Sequence, residues 1–266
     1  MDGTLLDDQK NIGPETLRQI DRAAEQGKII ALCTGRGVAE LNDFLDILKG
    51  VRYAICASGG IIWDMQKKEK IYSRKIDVET AFRIFDLMKD KDVVRQILEV
   101  KNILTASDLP QLERFRMHKY RPSYERWATL VEDTEKYYRA APYPVEKLDF
   151  HFTNTPDCRS TVREVKDAGL PVEVVGTGMG TLEINAAGVC KGSTLLHLCR
   201  ILNIDPSEAI AVGDSYNDIN MLEVVGLPVA VANANDEVKK ICRAVVPDNN
   251  HEGCAEAIDK YLMAPQ

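Results

Sequence analysis

The chain has 266 residues, 45% hydrophobic and 28% charged, a composition that supports a packed core and excludes a disordered chain. Its 34 Lys and Arg against 41 Asp and Glu give a formal net charge of -7, a field that repels phosphate backbones and argues against nucleic acid as a partner. No apolar run approaches the roughly 20 residues that span a bilayer, no signal peptide heads the chain, and the seven cysteines show no CxxC pair or zinc spacing, so reduced thiols in the cytoplasm are expected. In chain order, "GPETLRQIDRAAEQG" predicts a helix that opens at Pro14 and stops at Gly27, with Leu17, Ile20 and Ala24 on one face. "KIIALC" reads as a buried strand stopped by "TGRG", and Val38, Leu41, Leu45 and Leu48 predict a second helix. "YAICA" is a further strand, broken by Ser58, Gly59 and Gly60.

From about Asp77 to about Leu182 the texture changes, with long polar helical stretches and strands at "VRQILEV", "EKLDFHFT" and "PVEVVG". The last third returns to strand and helix in alternation: a helix at "KGSTLLHLCRIL", a strand at "AIAVGD", a helix at "DINMLEVV", a strand at "PVAVA", a helix at "DEVKKIC", a strand at "AVV" and a closing helix at "EGCAEAIDKYL". This order predicts an α/β fold, a doubly wound parallel, Rossmann-like sheet core over 1–77 and 185–266, with an inserted α+β cap domain over 78–184.

In such a sheet, ligands bind beyond the carboxyl ends of the strands, so the polar residues there are read together. Asp214 and Asp218 lie four apart in "GDSYNDINML", with Asn217 beside them, where carboxylates can hold a hard cation such as Mg²⁺; helix capping is the competing reading for Asp218. Thr34 and Gly35 form a strand-to-helix turn whose hydroxyl and backbone N–H groups suit a phosphate, though an ordinary capped turn has the same residues. Lys191 opens a helix, against the helix dipole, and a bound anion would remove that penalty; a solvated surface lysine is the alternative.

"DGTLLD", then "TGR", then a lysine opening a helix, then an apolar strand ending in "GDSYND", taken in that order, resemble the haloacid dehalogenase-like phosphatases. The large insert resembles the cap of the Cof-type subgroup in position and size. The resemblance implies a Mg²⁺-dependent phosphatase of a small phosphorylated metabolite, such as a sugar phosphate or a flavin precursor, acting through an aspartyl-phosphate. It implies that Asp2 is general acid and base and ligates Mg²⁺, and that Asp214 is the metal's other carboxylate. Asp218 would stand behind the metal or orient Lys191, and Thr34, Gly35, Lys191 and Asn217 would bind the phosphoryl oxygens. The family motif is Asp, any residue, Asp, Gly, Thr, and Met1 stands at its second position. The nucleophilic aspartate and the strand of about 5 to 6 residues that carries it are therefore expected upstream. The alternatives are a non-catalytic binding or regulatory relative and a phosphomutase. A monomer or homodimer is expected.

Three other features are read as structural. Gly176, Gly178 and Gly180 in "VVGTGMGTLEI" form GxGxG without a following helix, a turn between strands rather than a dinucleotide fingerprint. Arg114, Arg116, Lys119, Arg121 and Arg126 are read as a solvated cap face, with a substrate-facing role for one or two of them as the alternative. The four histidines show no ligand spacing, and Ser58 is a weak active-site candidate.

Overall fold

The computed structural model describes residues 1–176 and 180–263, which divide into two compact units. The first comprises Met1–Thr34, Phe44–Tyr72 and Cys190–Gln266, and the second Gly35–Asp43 and Ser73–Val189. Gly35–Asp43, placed in the core by sequence, thus groups with the second unit. Residues 177 to 179 of the glycine-rich turn lie outside the described residues.

In the first unit, α1 (Pro14–Glu25) has Pro14 at its start and buries Thr16, Gln19, Ile20 and Ala23. It leads to β1 (Ile30–Cys33), which pairs in parallel with β2 (Val51–Cys56). β3 (Ile61–Asp64) and β4 (Glu69–Ser73) extend this sheet in the order β1-β2-β3-β4, with β3 antiparallel to β2. The sequence reading contained neither, since three apolar residues and a lysine-rich turn carry too short a pattern.

Between β1 and β2 the structure corrects the second predicted helix. Its stripe buries Val38, Leu41 and Leu48 as expected, but the backbone is a six-residue 3-10 helix, Val38–Asp43, followed by turns. Side chains here bond partners in the second unit, most of them distant in sequence. Glu40 accepts from the Gly37 N–H at 2.9 Å and from Asn102 Nδ2 at 2.7 Å. Asp43 accepts from Trp127 Nε1 at 2.7 Å and from Arg126 Nη2 at 2.8 Å. Asn and Asp favour such side-chain bonding over helix continuation.

The second unit is built from α2 (Val78–Leu87), β5 (Val93–Leu98), β6 (Asn102–Thr105), α3 (Arg121–Trp127), β7 (Ala128–Val131), α4 (Thr134–Ala140), β8 (Lys147–Phe152), α5 (Thr155–Asp167), β9 (Val172–Gly176) and β10 (Thr181–Ala186). Its six strands form one sheet in the order β7-β6-β5-β8-β10-β9. Period-two alternation divides the faces. Leu148, Phe150, Phe152, Leu182 and Ile184 pack against Ile84, Phe85 and Val165 on one side. The opposite parity of β8 is polar and still buried: Lys147 is 1% exposed and forms ion pairs of 2.9 Å with both Asp149 and Glu183. Arg114 and Arg121 are exposed and paired with Asp92 and Glu125, in keeping with a solvated face.

The chain returns to the first unit with α6 (Lys191–Leu202), β11 (Ile210–Gly213), α7 (Ile219–Leu222), β12 (Leu227–Val231), α8 (Asp236–Ile241), β13 (Ala244–Val246) and α9 (Gly253–Ala257). β11, β12 and β13 are parallel and form a second sheet in that order, over a core that includes Leu222, Val229, Ala230, Val231 and Val246. Among the described residues, β1 and β11 each pair along one edge only. All seven cysteines are free thiols, and no helix among the described residues is long and apolar enough to cross a membrane.

Candidate active site

Asp214 follows the last residue of β11, and the chain turns at once into the 3-10 helix Tyr216–Asp218. The turn is closed by Asp218, whose Oδ2 accepts from the Asp214 and Ser215 N–H groups, each at 3.1 Å. Gly213 is required for so tight a return, because a Cβ there would lie 2.8 Å from that of Asp218. Asp218 makes no side-chain cap to the helix Ile219–Leu222 that follows it, the role one sequence reading proposed, but closes the preceding turn instead, and its second oxygen has a further partner. Lys191 Nζ donates to Oδ1 at 2.7 Å, and both side chains are buried. Burial opposes ionisation of Asp218, but the Lys191 ammonium, the terminal ammonium and the hydrogen bonds to the carboxylate together outweigh it and hold the carboxyl below its ordinary range. A cation at the start of α6 thus has an internal anion opposite it.

The Asp2–Thr4 turn meets Asp214 directly. Gly3 has φ +72, and a Cβ on it would sit 2.8 Å from Asp214 Oδ2, while the Thr4 hydroxyl donates to Asp214 Oδ1. Burial pushes the Asp214 carboxyl up, and the Thr4 bond works in the opposite direction. Asp2 pairs with Lys10 at 2.6 Å. Gly3→Ala should cost about 1–3 kcal/mol through the positive φ alone and displace Asp214 as well. A lower urea midpoint measures the first effect, and a wild-type midpoint would show that the turn relaxes freely.

Thr34, buried beyond β1, receives the Ser58 N–H on its carbonyl at 3.1 Å and donates its own N–H to Ile55 at 2.8 Å. Ala57 and Ser58 both have positive φ, 51 and 55, in the turn after β2. The next residue, Gly59, accepts from the Thr194 hydroxyl of α6 at 2.8 Å. The ends of β1 and β2 are thereby tied to the helix that Lys191 opens. Gly35 begins the second unit, where its carbonyl accepts from Lys147 Nζ at 3.2 Å. Asn217 is half-buried, its Oδ1 accepting from Ser215 Oγ at 2.8 Å.

The structure therefore joins Gly3, Thr4 and Asp214, joins Asp214, Asp218 and Lys191, and joins Thr34 with Ser58. The three carboxylates do not converge: Asp2 faces Lys10, Asp218 faces Lys191, and Asp214 takes the Thr4 hydroxyl. Among the described residues no group of three or more His, Cys, Asp and Glu side chains is placed to hold a metal ion. Of the histidines, His151 is buried and His197 stacks on Tyr72 with ring centroids 4.0 Å apart. The sequence reading missed Asn220, whose Oδ1 accepts from the Gly192 N–H at 2.9 Å, and Asn233, which donates to the Gly3 carbonyl at 2.8 Å. The asparagines of "VANAND", set between a strand and a helix, were the available signal for the second.

Comparison with known proteins places this geometry. The sequence profile of the haloacid dehalogenase-like hydrolases matches residues 1–258. The chain is 28% identical over 268 residues to the 5-amino-6-(5-phospho-D-ribitylamino)uracil phosphatase YcsE of Bacillus subtilis, covering 99% of this chain and 94% of that one. It is 24% identical over 276 residues to the pyridoxal phosphate phosphatase YbhA of Escherichia coli, covering 99% and 97%. Among solved structures, a haloacid dehalogenase-like hydrolase from B. subtilis superposes with a TM-score of 0.85 at 22% identity, covering 97% of this chain and 96% of that chain. A family match across nearly the whole length leaves one conclusion: the chain belongs to the haloacid dehalogenase-like hydrolases.

Proposed function

We propose that this protein is a Mg²⁺-dependent phosphatase of a small phosphorylated metabolite, with its site in the first unit. The observation that carries the reading is the buried Lys191–Asp218 pair bonded to the turn of Asp214, against which Gly3 and Thr4 are packed. Lys191 supplies fixed positive charge where phosphoryl oxygens gain negative charge, and Asp218 keeps that ammonium in place. Thr34 and Asn217 complete the phosphoryl contacts. Asp2, partly exposed and paired with Lys10, donates a proton to the leaving oxygen and afterwards takes one from water.

The donor chemistry fits a hard cation. Asp214 offers a carboxylate whose burial makes an uncompensated charge costly, and the adjoining Asp2–Thr4 turn is rich in oxygen. Asp214 and the Asp2 main-chain carbonyl would hold Mg²⁺, which when bound neutralises charge on the phosphoryl group. On this reading the first unit is the catalytic core and the second the cap domain.

The family motif carries its nucleophilic aspartate two positions before the residue that Asp2 matches. The unpaired edges of β1 and β11 offer pairing for a strand that would carry it. The test is phosphate release from para-nitrophenyl phosphate with Mg²⁺, comparing this chain with one that has such a strand and an Asp-Met junction ahead of Asp2. The extended form should be active and lose activity with EDTA, while this chain should be slower by on the order of 10⁴-fold or more. Failure of both folded forms on a panel of phosphorylated metabolites would sink the phosphatase reading.

A further inference from the structure

Outside the residues already assigned, two asparagine side chains act on the main chain of the site. Asn233 lies in the loop between β12 and α8. Its Nδ2 donates to the Gly3 carbonyl at 2.8 Å, and its Oδ1 accepts from the Asn249 N–H at 3.1 Å. These two bonds set the amide's orientation, since a flipped amide would face oxygen with oxygen and N–H with N–H. Asn249 is buried and donates from Nδ2 to the Leu6 carbonyl at 3.0 Å and to Asp8 Oδ1 at 3.3 Å.

The same loop also holds Asp214. The Asn235 N–H donates to the Asp214 carbonyl at 3.1 Å, two residues from the side chain that holds Gly3. Capping of α8 does not need Asn233, because the Asn235 side chain already accepts from the Val238 N–H at 3.0 Å. One short loop is therefore bonded at one end to the turn of Asp2 and at the other to Asp214.

We infer that Asn233 is a positioning residue, a brace that keeps the Asp2–Thr4 turn at a set spacing from Asp214 so that oxygens of both meet one divalent cation. This rests on the phosphatase reading above. Asn233 acts through Gly3 and touches neither the cation nor the reacting atoms.

The experiment uses the full chain, Mn²⁺ as the probe cation, and amide hydrogen exchange as a readout that needs no activity. The Leu5 and Leu6 N–H groups, bonded to the Met1 carbonyl at 2.9 and 3.0 Å, report on the turn. In Asn233→Ala they should exchange about 3- to 10-fold faster, the worth of one neutral hydrogen bond, with the β12 amides unchanged. Mn²⁺ affinity should weaken by a similar factor. The isosteric Asn233→Asp, which replaces the donor facing Gly3 with an oxygen, should speed the same amides at least as much. Asn250→Ala, which removes bonds to Asp8 alone, should leave both readouts at wild-type values. Unchanged Leu5 and Leu6 exchange in both Asn233 variants overturns the brace. Faster exchange with unchanged Mn²⁺ affinity overturns its role in spacing. Absence of Mn²⁺ binding by the wild-type chain strikes instead at the metal-dependent reading, while exchange still decides whether Asn233 holds the turn.

Discussion

Lys191→Met is expected to destabilise the first unit by about 3–5 kcal/mol and to abolish phosphate release in the strand-extended form. The lysine and aspartate side chains are 5% and 6% exposed, so removing the ammonium strands a carboxylate in the interior. Asp218 would still accept from two backbone N–H groups, but those bonds do not neutralise its charge. The double variant Lys191→Met/Asp218→Asn removes the stranded charge and should recover most of the stability without recovering activity. This separates the two roles of the lysine. The pH dependence has a definite sign: Asp218 is depressed in the folded state, so its contribution is present above the unfolded carboxyl value and lost as pH falls through the folded one. Urea unfolding of the three proteins at pH 7 measures the cycle. A single variant as stable as wild type would mean that the pair contributes nothing and that Asp218 is held by its amide bonds.

The second unit should respond comparably to Lys147→Met, again about 3–5 kcal/mol, because one buried ammonium serves both Asp149 and Glu183. Here one carboxyl shifts the other way. Burial pushes Asp149 up to about 7; Lys147 opposes this, while Glu183 and Glu40 add to it. His151 beside it is pushed down to about 3 by burial and by Lys147, so it stays neutral. A raised carboxyl contributes stability that is complete below its unfolded value and is lost as pH rises through about 7. Between roughly pH 4 and pH 7 Asp149 therefore weakens the unit as pH rises, while the depressed His151 strengthens it over about the same window. Asp149→Asn should remove that share of the slope, while Glu99, pushed up to about 7 by burial and Glu146, retains its own. Exchange of the β8 amides against pH measures this, and parallel profiles for wild type and Asp149→Asn would show that Asp149 titrates near its ordinary value.

Much of the candidate site was legible because each part is local. Asp214, Asn217 and Asp218 sit within five residues, and the glycine before them is demanded by the turn they make. Thr34 and Lys191 stand at the junctions of strand or helix that periodicity marks. Other features were hidden because their determinants are distant. The stripe Val38, Leu41, Leu45, Leu48 fits a helix, yet Asn102, Arg126 and Trp127 draw Glu40 and Asp43 out of that geometry. Lys147, Asp149 and Glu183 look like surface charges in a strand pattern, and their burial depends on what covers that face of the sheet.

The sequence by itself determined the alternation of strands and helices in the last third, the polar residues at strand ends and the family resemblance, since propensity, period and motif act within a few residues. Only the tertiary structure decided which partner each charge takes. Thr4 reaches Asp214 across 210 residues, Lys191 reaches Asp218 across 27, and Asn233 reaches Gly3 across 230. Such pairings depend on how elements pack around a shared core, and no short stretch of chain contains that information.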